Sequence, residues 1–290
     1  MSEVILTTNQ YGKAENRVVR LYRDTSRHEI RDLTVSTRLS GDFAAAHLHG
    51  DQSSVLPTDT QKNTAYAYAS SHGDGQVEDY ALALARHFVD DVAPVRGARV
   101  EVEEHAWDRI EVEGRPHDHA FVRRGQEVAT TVVTVEDGPD GRSTVVEAGL
   151  QDLVLLKSTG SEFAGFLRDE YTTLQETSDR IMATSLTATW RYDDSWQDGS
   201  LDWVAARSAA RTAMVGAFAQ LHSRALQQTL WEMGRAVLEA EPRIAEIAFR
   251  APNKHHFLYD LAPFGLENRG EVFSADDRPY GLISATVVRE

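Results

Sequence analysis

Gly138-Pro139-Asp140-Gly141 is the strongest structure breaker in the middle of this 290-residue chain, two glycines flanking a Pro-Asp pair that neither a helix nor a central strand accommodates. Working back from it, residues 120–136 and 99–112 carry β character, the first through alternation around Val128, Thr130, Val132 and Thr134. Residues 77–92 and 59–70 carry helical spacing, and Tyr80, Leu82, Leu84 and Phe88 supply an apolar face on the former. Residues 29–39 and 4–21 read as two strands joined at Arg23-Asp24-Thr25-Ser26. Working forward, residues 143–156 and 181–192 read as strands and 201–222 and 225–240 as helices. Trp203, Met214, Val215, Phe218 and Leu221 face inward on the first of these helices, and 244–250 and 271–289 return to strand. Two passes of strand-strand-helix-helix-strand-strand imply a tandem duplication: an α+β chain with domains at 1–139 and 140–290.

The composition removes several classes of function. There is no cysteine, which excludes disulfides, thiolate zinc sites, iron–sulfur clusters and a cysteine nucleophile. A formal net charge of -15 argues against nucleic acid or an anionic membrane as partner. It leaves open an anionic small substrate, because a few cations can reverse the field inside one cleft. The N-terminal MSEVILTTNQYGK lacks the basic-then-apolar order of a signal peptide, no run approaches a membrane span, and the final VVRE is no peroxisomal address. A cytoplasmic location is the expectation. Of 30 basic residues only Lys13, Lys62, Lys157 and Lys254 are lysine. A lysine amine can give up its proton on desolvation, which a guanidinium does not, so these four positions are candidates for tasks arginine cannot perform.

Local signals point to one kind of chemistry. Thr58, with Gln61 three residues on, fits a capping box with Thr58 at the helix N-cap, which would leave the backbone N–H of Asp59 free for a carbonyl or an anion. A second helix start near Leu226 offers another free N–H, and Gln227 beside it carries adjacent donor and acceptor suited to a heterocycle edge. Arg180 lies in a polar stretch before a strand and can grip a planar anion with two hydrogen bonds. Phe163 can stack on such a ring. Asn253, Lys254, His255 and His256 bring amide, amine and imidazoles together. Each has an ordinary alternative: a plain cap, a polar helix face, a core phenylalanine. Neither His255-His256 nor His117-x-His119 reads as a metal site, since strand neighbours point to opposite faces and no third ligand is evident.

Taken together these stretches resemble one family. Tyr11-Gly12-Lys13, Thr58-Asp59-x-x-Lys62-Asn63-Thr64, His117-x-His119-x-Phe121, Leu156-Lys157-Ser158-Thr159-Gly160-Ser161-x-Phe163, Phe166 to Leu174, Pro252-Asn253-Lys254-His255 and Asp277-Arg278-Pro279-Tyr280-Gly281-Leu282-Ile283 occur in the order found in urate oxidases of bacterial type, from about Tyr11 to Arg289. The resemblance implies two tandem tunnelling-fold domains, each an antiparallel sheet with a helix pair. It implies a homotetramer enclosing a β-barrel tunnel, with active sites between subunits and neither metal nor organic cofactor.

The family's residues carry over as follows. Arg180 and Gln227 hold opposite edges of urate, Phe163 stacks on it, and the N–H groups of Leu226 and Asp59 donate to it. Lys13, Thr58 and His255 handle protons, and Asn253 with Thr58 holds oxygen above the ring. Leu226 replaces a smaller aliphatic residue, which leaves its backbone role intact. Two rival readings stay open: a related enzyme of pterins or guanine nucleotides, and a urate-binding protein without turnover.

Overall fold

Leu33, Val35, Thr37 and Leu39 are buried at every second position, the period-two pattern that makes a strand with one face on a core. They belong to β2 (Glu29–Gly41), which pairs antiparallel with β1 (Tyr11–Tyr22) and with β3 (Val95–His105). β3 pairs in turn with β6 (Val128–Gly138). The computed structural model describes residues 4–290; Met1–Glu3, the start of the N-terminal segment read above, lie outside the described residues. Residues 4–10, expected to extend the first strand, have no regular structure.

The chain divides into two compact units, Met1–Gly149 and Leu150–Glu290. The division falls inside β7 (Gly141–Lys157) rather than at the Gly-Pro-Asp-Gly breaker expected to bound the domains at 139/140. The reason is local: β6 ends at Gly138 and β7 begins at Gly141, so the breaker is the tight link between two strands and not a domain linker.

In the first unit, α2 (Thr58–Ser71) packs on β1, and α3 (Val77–Asp91) packs on β3 and β6. α3 starts in a complete capping box between Gln76 and Asp79 and buries Tyr80, Leu84, Ala85 and Phe88 on its inner face. Each large side chain so buried contributes about 1.5–3 kcal/mol of transfer free energy. Two features were not legible from periodicity. A short helix, α1 (Ala44–His49), follows β2, and a separate hairpin, β4 (Trp107–Val112) with β5 (Arg115–Arg123), interrupts what read as continuous strands.

In the second unit, β8 (Met182–Tyr192), β9 (Ile244–Leu258) and β10 (Phe273–Val288) are antiparallel neighbours in that order. α5 (Leu226–Ala240) packs on β9 and β10, and α4 (Trp203–Gln220) packs on α5. Met214, Phe218 and Trp203 are buried on α4, with Ala206 and Ala210 completing the face. From β7 onward the order is again strand-strand-helix-helix-strand-strand, the first pass differing by its added α1 and hairpin. Among the described residues β1 and β10 each have a strand neighbour on one side only, and no closed barrel forms. Among the described residues no helix is long and apolar enough to cross a membrane.

Candidate active site

The second unit builds its cavity on an irregular strip between β7 and β8. Ser223 N–H donates to the Gly160 carbonyl (2.9 Å), and the Ser223 carbonyl accepts from Glu162 N–H (2.8 Å). On the other side of the strip, Arg180 N–H donates to the Ser161 carbonyl (2.8 Å), and Phe163 and Thr177 exchange N–H···O bonds of 2.8 and 3.0 Å. Phe163, Arg180 and the start of α5 are thereby tied to one short piece of backbone. These bonds bridge residues far apart in sequence, which no local periodicity encodes.

Around this strip lies a cavity of about 490 Å³ whose lining includes Phe163, Arg180, Leu226, Gln227, Asn253 and His255. All six residues expected in the second half of the chain therefore meet at one place. The Arg180 guanidinium carbon sits 5.3 Å from the Phe163 ring centroid. Its Nε is buried without a hydrogen-bond partner among the described residues, and burial pushes the guanidinium below its ordinary value, though a guanidinium stays charged throughout the working range. The neighbouring carboxylate does not neutralise it: Asp179 accepts instead from the Thr159 hydroxyl (3.0 and 2.9 Å) and Gly160 N–H (3.1 Å).

Asn253 and His255 come from β9, where the ladder with β10 is interrupted. Asn253 pairs with Gly281 and His255 with Asp276, so Asp277, Arg278, Pro279 and Tyr280 bulge opposite Lys254 alone. Such bulges re-aim side chains beside functional sites. The His255 ring stacks on Phe257 at 5.7 Å. His256, which alternation assigned to the opposite face, also lines the cavity, as does Ile283; neither was singled out from sequence as a site residue. Among the described residues, no three His, Cys, Asp or Glu side chains gather as a metal site.

The remaining three expected residues, Lys13, Thr58 and Asp59, lie in the first unit. Lys13 pairs across the ladder with Thr37, and a bulge follows it at Ala14 and Glu15, where Glu15 has φ 57°. Gly12 precedes it because a Cβ there would meet the Thr37 carbonyl oxygen at 1.8 Å. Asp59 accepts from Lys62 and from Asn63, and its carboxyl is held below the usual range by the Lys62 bond first, with a further pull from Lys13.

The start of α2 differs from the expected capping box. Pro57 is the N-cap, its carbonyl accepts from Gln61 N–H at 3.1 Å, and Thr58 is the first helical residue. The Gln61 side chain turns inward and accepts from the Thr37 hydroxyl at 2.8 Å. The consequence for Asp59 is unchanged, since a second-position N–H has no intrahelical partner. Both α2 and α5 begin without a side-chain cap.

A half-buried cation beside an aromatic ring, a helix start with open N–H groups, and an amide and imidazole on a bulged strand line one cavity on an antiparallel α+β scaffold. The uricase family model matches residues 9–134 and 146–284. A uricase from Arthrobacter globiformis is 51% identical across 100% of this chain and 91% of its own length, and one from Dictyostelium discoideum is 35% identical across 98% and 97%. The crystal structure of the Arthrobacter globiformis uricase superposes with a TM-score of 0.92, covering 100% of this chain and 96% of that one. The chain belongs to the uricase family, oxidoreductases that act on urate.

Proposed function

We propose that this chain oxidises urate without a cofactor, binding it in the second unit's cavity and moving its protons with residues from the first unit of a neighbouring copy. Urate, dioxygen and water give 5-hydroxyisourate and hydrogen peroxide. The purine ring loses two electrons and takes a hydroxyl from water at C5, and dioxygen takes the two electrons and two protons.

The observation that carries this reading is the unpaired Arg180 guanidinium beside Phe163. A half-buried charge without a counter-ion is costly, and a planar anion stacked on the ring would supply the missing charge. In this reading Arg180 and Gln227 grip opposite edges of urate, and the N–H groups of Leu226 and Asp59 donate to it. Lys13, Thr58 and His255 strip urate to an electron-rich dianion, as groups able to relay protons. Asn253 and Thr58 hold dioxygen, and later water, over the ring.

For the assembly, the family resemblance implies two tandem tunnelling-fold domains per chain and a homotetramer with a β-barrel tunnel, with Lys13, Thr58 and Asp59 contributed by the adjacent subunit. Support comes from the family and from the distribution of site residues over two units.

The test is the loss of urate's ultraviolet absorbance with one peroxide formed per urate, before and after exhaustive chelation. Equal rates are expected. A rate lost on chelation and restored by zinc or copper overturns the cofactor-free reading, and absence of urate loss under all conditions overturns the substrate.

A further inference from the structure

Ordinary helix starts satisfy their open N–H groups with the side-chain oxygen of a Ser, Thr, Asp or Asn at the N-cap. α5 does not: its N-cap is Ala225, which has no capping oxygen. An Ala N-cap keeps the first N–H groups open for a ligand but leaves the helix start less firmly fixed. Beneath it sit two fully buried hydroxyls, Ser223 and Thr229, both 0% exposed. Their oxygens are 2.8 Å apart, and each reaches the Ala225 carbonyl, at 3.1 Å from Ser223 and 3.2 Å from Thr229. That carbonyl also accepts Thr229 N–H at 3.1 Å. Ser223 is at the same time the residue whose backbone pairs with Gly160 and Glu162 on the strip that carries Phe163.

We propose that Ser223 and Thr229 are positioning residues that fix the uncapped start of α5 against the Phe163–Arg180 strip, from the side away from the ligand. The pair holds the N-cap carbonyl in place of a conventional cap, so that the N–H of Leu226 and the Gln227 amide stay both open and aligned. The inference rests on the assignment of Leu226 and Gln227 as urate contacts. It implies that the two hydroxyls serve the ligand's edge interactions and not the proton relay, since their hydrogen bonds run to the Ala225 carbonyl, to each other and to the Met182 sulfur, all on the second unit's own framework.

The test measures KM and kcat for urate, and the Kd of xanthine as a purine that lacks the C8 oxygen, in the wild type and in Ser223→Ala, Thr229→Val and Thr229→Ser. In Ser223→Ala and Thr229→Val, KM and the xanthine Kd are expected to rise about tenfold, the scale of one lost hydrogen bond near its upper range. kcat at saturation and the pH profile of kcat should stay close to wild type. Thr229→Ser restores the hydroxyl and should restore both constants to within about twofold of wild type, within the spread of a single hydrogen bond's effect. If Ser223→Ala fails to fold, the two Thr229 variants decide alone. Unchanged KM and xanthine Kd in a folded Thr229→Val overturns the proposal, as does a fall in kcat with binding intact. Wild-type protein that neither oxidises urate nor binds xanthine would instead overturn the urate reading itself.

Discussion

The Arg180 guanidinium lies 5.3 Å from the centre of the Phe163 ring, and burial pushes its ionisation below the ordinary value. Nothing in the second unit neutralises it: Asp179, the adjacent acid, is committed to Thr159 and Gly160. The cation is therefore left without a counter-ion in the cavity that Phe163 and Arg180 share.

Arg180→Ala should chiefly remove binding, whereas Lys13→Met and Thr58→Ala should chiefly lower turnover. Arg180 would contact the anion in ground and transition states alike, while the relay acts only in the chemical step. Losing a charge-assisted, paired contact costs on the order of 2–5 kcal/mol. Equilibrium titration with xanthine, beside steady-state constants for urate, separates the two effects. Lys13→Met that lost xanthine binding but kept saturated turnover would reverse the assignment.

Gly12→Ala should impair turnover through Lys13. A Cβ at Gly12 would sit 1.8 Å from the Thr37 carbonyl oxygen, so β1 must move away from β2 beside Lys13. Thermal melting should fall, and kcat should fall with it. A variant with normal melting and normal kcat would mean that the strand absorbs the change without moving Lys13.

The buried Thr37–Gln61 bond gives an asymmetric pair of outcomes. Thr37→Val leaves the Gln61 Oε1 without its donor, beside an Nε2 already buried and unpartnered, and should cost about 1–3 kcal/mol. Gln61→Met removes both polar atoms of the amide, the unpartnered Nε2 included, and leaves only the Thr37 hydroxyl without a partner, so its cost should be smaller than that of Thr37→Val despite the larger change in chemistry. Denaturant unfolding of both variants checks the order.

Acid should destabilise the first unit through His105. Its Nδ1 lies 2.8 Å from an Arg123 nitrogen, which donates to it, so Nε2–H faces the Thr34 hydroxyl at 2.8 Å. Burial first, then Arg123 and Arg17, hold the imidazole below its usual value, with Asp32 opposing. The unfolded chain then takes up this proton more readily than the folded one. The stabilisation is complete above the ordinary histidine value of about 6.5 and is lost as pH falls through the lower folded value. The drop in melting temperature between neutral and mildly acid buffer should be smaller in His105→Gln than in the wild type.

Much of this was legible in the sequence, for identifiable reasons. The helix and strand faces were readable because Tyr80, Leu84 and Phe88, or Leu33, Val35 and Leu39, repeat at the period of their element. The Gly138–Gly141 breaker was visible, but a glycine-rich turn within a hairpin and one between domains have the same composition. The β3–β4 break that opens the hairpin was not legible because Ala106 alone separates the two strands, with no Gly or Pro to mark it. At the site, Phe163, Asn253 and His255 lie within the ordered family motifs, whereas Arg180, Leu226 and Gln227 stand out by local chemistry, a guanidinium ahead of a strand and an amide at a helix start. All six are among the residues lining the second unit's cavity. The parts played by Ser223, Asp179 and His256 were not legible, because their contributions arise from hydrogen bonds and a strand bulge joining segments distant in sequence. Gln61 was seen but given the wrong partner: a TxxQ spacing marks a capping box only when the hydroxyl sits at the N-cap, and Pro57 occupies that position.

The central claim is that one urate site is assembled from a relay in the first unit of one chain and a binding cavity in the second unit of another. A symmetric oligomer would repeat such a site at every equivalent interface. The direct measurement uses two inactive proteins, Lys13→Met with Thr58→Ala in one chain and Arg180→Ala with Gln227→Ala in the other, co-folded and verified by mass as hetero-oligomers. Some interfaces then combine four wild-type residues, and urate oxidation should return to a substantial fraction of the wild-type rate although each variant alone is inactive. Verified hetero-oligomers that stay inactive would mean that both residue sets serve the same chain's site, and sharing between subunits would be contradicted.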